Sequence, residues 1–260
     1  MLLDQPAAPV ALKSITGPTS PFPTANRFAP VFVPLQDDNP LKYVHRQYVT
    51  FTLIGLNVAI FLATMAEGGR EALMASFAVV PGELFGFGYG PVQSVGFSEN
   101  LTLISYMFFH GDPLHLAGNM LFLWVFGDNV EDAMGHIRFI AFYLLCGIFA
   151  GLTHAWITPD SEVPLIGASG AVAGVIAAYL MLHPRVRVWV LAFKVLPLRV
   201  SAAVVLGIWI ITQIVMVLVP SMGPVAWWAH IGGLVAGAVL VPFFKRPDVP
   251  LFDRGLPAAR

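Results

Sequence analysis

Ile166-Gly167-Ala168-Ser169-Gly170-Ala171-Val172-Ala173-Gly174 is the stretch on which the reading of this chain turns. It places a serine among small residues at the mouth of an uncharged run that ends at Arg185, and a run of that kind reads as a membrane helix. A hydroxyl there is costly without a partner, and Gly167 and Gly170 let other backbones come close. The whole chain has a membrane-protein composition: 57% hydrophobic, 11% charged, mean hydropathy +0.75. A soluble domain carries roughly a quarter charged residues. The net charge of -1 and the lack of a basic stripe exclude a nucleic-acid partner. Cys146 is the single cysteine, so no intrachain disulfide can form.

Working outward, five more apolar runs flank this one. The first helix fits between Arg46 and Glu67. The second starts at Asp112, a good N-cap, followed by Pro113 at the first helical position, where its missing N–H costs nothing. The third fits between Arg138 and Asp160, and the fourth between Glu162 and Arg185. The uncharged residues from Arg199 to Lys245 are broken by Pro220-Ser221-Met222-Gly223-Pro224 and make the fifth and sixth. Residues 67–111 read as a long, partly interfacial loop in contact with lipid, and residues 186–199 as a second interfacial connection. Residues 1–45 read as a disordered, proline-rich tail without a signal peptide, and residues 246–260 as a short tail. With the N-terminus inside, every one of the 14 lysines and arginines except Arg70 falls on an inner segment. The expectation is an all-α integral membrane protein: a six-helix domain over 46–245, both termini cytoplasmic, in a bacterial inner membrane.

In that topology the second, fourth and sixth helices run the same way, and each opens with polar side chains. His115 and Asn119 lie in the first turns of the second, Ser169 opens the fourth, and His230 opens the sixth. Counted from the inner boundary at about 1.5 Å per residue, Ser169, His230 and His115 sit roughly 20–24 Å up, recessed below the outer edge of a ~30 Å hydrocarbon layer, so the four groups can share one level. The combination suits nucleophilic catalysis. A serine becomes nucleophilic when an imidazole within hydrogen-bond reach takes its proton. The tetrahedral intermediate then needs donors for its oxyanion. His115 and Asn119, at i and i+4, share a helix face and can both donate, and the Ser169 N–H is an unpaired donor at a helix start.

His110-Gly-Asp-Pro-Leu-His115-Leu-Ala-Gly-Asn119, Gly167-Ala-Ser169-Gly170 and Ala229-His230-Ile-Gly-Gly233-Leu-Val-Ala-Gly237 together resemble the rhomboid family of intramembrane serine proteases. The resemblance covers about residues 46–245. It implies a Ser169–His230 dyad without an acid, and an oxyanion site from His115, Asn119 and the Ser169 backbone. It also implies supporting roles for His110, Gly167 and Gly170, a structural role for Glu131, and single-pass transmembrane proteins as substrates. No cofactor and no metal are called for. Ala173 stands where some members carry a tyrosine that stacks on the imidazole, so the orientation of His230 must come from other packing.

Bland readings compete at each position. A lone serine is most often a helix-packing residue, and a lone buried histidine or asparagine is most often interhelical glue. The four-part constellation is what favours function over packing. His154, His183 and Asn57 keep structural readings, and Gly170, Gly174 and Ala178 form a small-residue stripe that would bring the fourth helix against the sixth. A metalloprotease would show His-Glu-x-x-His, which is absent, and an aspartyl protease needs carboxylates within the spans. The alternatives are a non-proteolytic rhomboid-like protein that binds membrane clients, and a transporter using His110, His115 and His230 along a proton or metal path.

Overall fold

The computed structural model describes residues 32–66, 70–86, 98–193, 195–219 and 226–253. The chain is mostly helical: α1 (Tyr48–Ala66), α2 (Arg70–Phe77), α3 (Pro81–Leu84), α4 (Glu99–Ser105), α5 (Pro113–Met134), α6 (His136–Ile157), α7 (Ser169–Leu182), α8 (Ala202–Leu218) and α9 (Trp227–Phe244). Among the described residues, α1, α6 and α9 are long and apolar enough to cross a membrane; α7 and α8 are apolar but shorter. α5 has 22 residues but ends in Asp128, Glu131 and Asp132. The outer helix surfaces are apolar, with Trp156 of α6 81% exposed and Phe243 of α9 78% exposed. Exposed large apolar side chains in such numbers mark a lipid-facing surface.

Two helix starts have a plain physical cause. The Asp112 carboxylate accepts from Leu114 N–H (2.8 Å) and His115 N–H (3.0 Å), with Pro113 behind it, as the sequence foretells. α1 is capped from a distance. Glu131, fully buried in α5, accepts from Val49 N–H, Thr50 N–H and Thr50 Oγ1–H, so a carboxylate sits at the positive end of α1. Its neighbour Asp132 accepts from the N–H groups of Lys42, Tyr43 and Val44. Together these two acids tie the chain entering α1 to the end of α5, which gives Glu131 its structural work.

The expectation of an all-α protein needs correction. Three strands, β1 (Phe32–Asp37), β2 (Arg187–Ala192) and β3 (Leu196–Ser201), form an antiparallel sheet in the order β1-β2-β3. In β2, Val188, Val190 and Ala192 are buried while Arg187 and Trp189 are exposed, a period-2 pattern that a helix could not satisfy. β1 belongs to the stretch expected to be disordered. It holds because β2 offers a free edge, and Pro34, which has no N–H to give, sits on an edge strand next to a register shift. Residues 1–31 of that expected tail lie outside the described residues, as do 67–69 and 87–97 of the long loop, the break at 220–225, and 254–260. Residues 246–253 fold back on the bundle: Arg246 N–H donates to Ala133 O, and Asp253 accepts from Arg185 N–H.

β1 is locked to the helices through Asp37. Its Oδ2 accepts from Asn129 Nδ2 of α5 (2.9 Å) and from Tyr179 OH of α7 (2.5 Å). Burial raises the Asp37 carboxyl from 3.8 to about 6, against the hydrogen bonds from Tyr179 and Asn39 and with help from the charge of Asp38. A carboxyl whose folded value is raised binds more protons folded than unfolded between about pH 4 and 6. Stability is therefore full below that window and falls as the pH rises through it, by about 3 kcal/mol. Both bonds end on one oxygen, which an asparagine can reproduce. Asp37→Asn should remove this slope and raise stability at pH 7 relative to the parent, read as the thermal unfolding midpoint in detergent at pH 4.5 and 7. A slope unchanged by the substitution contradicts the assignment.

α5, α7 and α9 run in the same direction, with their N-termini at the end away from the sheet. α7 lies closest to α9. A Cβ built on Gly233 would collide with Gly170 O, and one on Gly237 with Gly174 O. Gly170 and Gly174 owe their own lack of a side chain chiefly to α6, where Ala150 and Cys146 fill the space. The small residues of α7 thus pack two neighbours, and the close approach to α9 depends on the glycines of α9 as well.

Candidate active site

The turn that presents Ser169 is held from below by the connection between α1 and α5. Val79 and Leu165 exchange two backbone hydrogen bonds, 3.1 and 2.8 Å, and Gly167 N–H donates to Tyr106 O (2.9 Å). Gly167 has φ +117°, a conformation that favours glycine. Ala168 N–H points at His110 Nε2 (3.4 Å), so His110, which is buried, braces the residue before the serine. Ser169 follows as the first residue of α7, where backbone N–H groups have no helical partner and the helix dipole is positive.

His230, in the first turn of α9, reaches across to it. His230 Nε2 lies 2.9 Å from Ser169 Oγ, and the histidine is only 9% exposed. The close approach of α7 and α9 places these two side chains within reach. The other ring nitrogen, Nδ1, lies 2.7 Å from Oε1 of Gln213 on α8. Two indoles flank the ring: Trp209 at 6.1 Å, tilted by 35°, and Trp227 at 5.8 Å, edge-on at 85°. These contacts answer the question posed by Ala173. That residue is fully buried, and the imidazole is contacted by Gln213 and Trp209 of α8 and by Trp227 at the start of α9.

His115 and Asn119 converge on the same turn from α5. The point where a Gly167 Cβ would stand is 2.7 Å from His115 Nε2 and 3.8 Å from Asn119 Nδ2, so a side chain at Gly167 would displace the His115 ring and stand in contact with the Asn119 amide. Asn119 is buried, and its Nδ2 has no hydrogen-bond partner among the described residues. A buried amide donor left unpaired costs about 1–3 kcal/mol, which is tolerable where a ligand atom takes the bond. His110 packs on His115 with ring centroids 5.0 Å apart. The polar groups expected to share one level, His115, Asn119, Ser169 and His230, are thus gathered around one turn. Of the residues given structural readings, Asn57 bonds Leu53 O within α1, and His183 faces Asp253 at 3.6 Å.

Gln213, Trp209 and Trp227 were not singled out from the sequence. Gln213 had a signal available, being the one amide in the apolar run from 200 to 219. A polar side chain that cannot be read as a cap, deep in an apolar helix, asks for a partner. The indoles had none, since tryptophan is common in membrane helices.

The chain is thus a helical membrane protein with a serine–histidine pair at a helix N-terminus and amide and imidazole groups beside it. The rhomboid domain model matches residues 98–247, more than half of the chain, and the protein belongs to the rhomboid family. Among its curated relatives, Rhomboid protein 1, mitochondrial, of Saccharomyces cerevisiae is 26% identical over 162 residues, 60% of this chain and 43% of that protein. Rhomboid protease GluP of Bacillus subtilis is 26% identical over 219 residues, 81% of this chain and 37% of its own. Rhomboid protease AarA of Providencia stuartii is 30% identical over 143 residues, 50% of this chain and 49% of its own. The chain spans less than half the length of each of these relatives.

Proposed function

We propose that the protein is an intramembrane serine endopeptidase that cleaves single-pass transmembrane proteins near the outer face of a bacterial inner membrane. The observation that carries this reading is the 2.9 Å approach of His230 Nε2 to Ser169 Oγ at the start of α7. Two relatives named as rhomboid proteases, GluP and AarA, support it. In this reading α1, α5, α6, α7, α8 and α9 cross the membrane, with both termini cytoplasmic. At about 1.5 Å per residue, the 14 residues of α7 span about 21 Å of a ~30 Å layer. Ser169 therefore opens below the outer edge, and the non-helical turn before it is tolerated at that depth because protein surrounds it.

A substrate helix enters laterally from the lipid and unwinds near its outer end, since a helical amide is already hydrogen-bonded and shielded. Ser169 Oγ attacks the exposed carbonyl carbon as His230 Nε2 takes the hydroxyl proton. The oxyanion that forms is met by the Ser169 N–H, Asn119 Nδ2 and His115, with the dipole of α7 adding to the field. Collapse breaks the C–N bond as His230 returns its proton to the leaving amine. Water entering from the outer side, activated by the same imidazole, releases the acyl group and restores the serine. His110 and Gly167 hold the turn in place, and Gly170 lets α7 nest against α6.

The direct test is twofold. Purified protein reconstituted in liposomes should cleave a transmembrane substrate whose outer segment carries helix-breaking residues. A fluorophosphonate probe should label it at Ser169. A well-folded sample that neither labels nor cleaves favours a rhomboid-like binder of membrane clients instead.

A further inference from the structure

Gln213 is buried at the face of α8 turned toward α9, while the opposite face of the helix is exposed; Ile211 is 61% and Leu218 74% exposed. An uncharged amide in an apolar helix is unfavourable unless its donors and acceptor are used. Here two of them are. Nε2 lies 3.1 Å from Trp209 O, four residues back on the same helix, and Oε1 lies 2.7 Å from His230 Nδ1. The chemistry of the first contact decides the second. A backbone carbonyl can only accept, so the amide must turn its NH2 to Trp209 O and its oxygen to the imidazole. An amide oxygen can only accept, so Nδ1 must carry the ring's proton. Nε2 is then left with its lone pair facing Ser169 Oγ.

We propose that Gln213 is a positioning residue that holds His230 as the Nδ1–H tautomer with Nε2 ready to act as base, making Trp209–Gln213–His230–Ser169 one directed hydrogen-bond chain. The proposal rests on the dyad reading for its consequence in catalysis, but not for the tautomer itself. A neutral imidazole has two tautomers, and with the proton on Nε2 it would donate to Ser169 Oγ and could not accept its proton. The serine contact alone does not choose between them, because a hydroxyl can give or take. Gln213 chooses. It also suits the location better than a carboxylate would, since an unpaired charge buried among apolar helices is strongly unfavourable while an amide supplies the same acceptor uncharged. When the imidazolium forms, the Nδ1–H···Oε1 bond becomes charge-assisted and strengthens, so its stabilisation grows along the reaction. The other titratable side chains around the ring are His115 of α5 and His154 of α6, and no carboxylate among the described residues bonds to it. Both Gln213 and the Trp209 carbonyl come from α8, so the base is held only while α8 is seated against α9.

The experiment reads the tautomer and the reactivity of the full chain separately. The protein is prepared with 15N-labelled histidine in detergent, with the His230 signals assigned by their loss in His230→Ala. Imidazole 15N shifts should report Nδ1–H for His230 in the parent. Gln213→Leu should lose that preference and slow fluorophosphonate labelling of Ser169 by at least about tenfold; a wrong tautomer costs up to about 10⁴ in serine-protease triads. Gln213→Glu should restore both to within about fivefold. Its acid form can accept from Nδ1–H with one oxygen and donate to Trp209 O with the other. In substrate cleavage, the Gln213→Leu loss should fall on kcat with KM little changed. An Nε2–H tautomer in the parent overturns the proposal whatever the folding of the variants. So does a tautomer that survives in Gln213→Leu, or an equal loss of labelling in Gln213→Leu and Gln213→Glu with the tautomer unchanged. A parent that shows the Nδ1–H tautomer yet neither labels nor cleaves refutes the protease reading and leaves the positioning by Gln213 intact.

Discussion

Ser169→Ala and His230→Ala are each expected to lower the cleavage rate of a transmembrane substrate by at least about 10⁴-fold, with the thermal midpoint nearly unchanged in Ser169→Ala and lowered in His230→Ala, which empties a buried site and leaves Gln213 Oε1 without its donor. In the proposed mechanism the serine supplies the bond-forming oxygen and the histidine 2.9 Å away is its base, so neither step proceeds without both. In serine proteases the loss of either group costs about 10⁶ in kcat, close to the loss of all of them together. The double variant should therefore be no slower than either single one. That non-additivity is the signature of one catalytic unit, and two independent packing residues would give multiplied effects instead. Removing an oxygen from the half-buried Ser169 leaves the small-residue packing of α7 in place, so stability should move by less than about 1 kcal/mol. Cleavage reduced less than tenfold in Ser169→Ala would sink the proposed mechanism.

The second large effect is expected from a single methyl group at Gly233. Its Cβ would overlap the backbone oxygen of Gly170. Unlike the tip of a flexible side chain, a helix carbonyl cannot rotate aside, so α9 must move away from α7. Over-packing of this kind costs about 1–3 kcal/mol, and more where backbone opposes backbone. The functional cost is larger, because Gly170 adjoins Ser169 and Gly233 is three residues from His230. A displacement of about 1 Å between reacting groups lowers the rate roughly a hundredfold. Gly233→Ala should thus lower both the unfolding midpoint and fluorophosphonate labelling, by about a hundredfold for the latter. Gly207→Ala on α8 is the control, since nothing lies within 4 Å of its would-be Cβ. An alanine there should be neutral or slightly stabilising, by up to about 1 kcal/mol. Equal behaviour of the two substitutions would mean that the α7–α9 approach does not set the site.

The two variants probe different layers of the same arrangement. In the proposed mechanism Ser169 and His230 carry the chemistry, and the glycines let those atoms meet. The proposed role of Gln213 adds a third layer, the protonation pattern that makes the meeting productive. Each layer has its own readout: rate with unchanged stability in Ser169→Ala, rate with lowered stability, and the imidazole tautomer.

The apolar runs, the Asp112-Pro113 helix start and the shared level of His115, Asn119, Ser169 and His230 were legible because each follows from local spacing. Hydrophobic run length and capping chemistry act over a few residues, and depth follows from counting along a helix. The three motifs, in order on separate helices, were enough to identify the family. The β1-β2-β3 sheet was not legible, because β1 and β2 lie about 150 residues apart and β1 has no partner until the chain is folded. The same holds for Glu131 capping α1 across 81 and 82 residues, and for Asp37 meeting Tyr179 across 142. Gln213 stands between the two cases. The sequence marks it as a polar side chain in need of a partner, and only the packing of α8 on α9 supplies His230. By itself, then, the sequence determined the membrane class, the candidate nucleophile and base, and the family. Tertiary structure decided which residues orient that base, which glycines are obligatory, and that the segments flanking the helices form a sheet. Hydrogen bonds and close backbone contacts are short-ranged in space and indifferent to distance along the chain, so only folding brings their partners together.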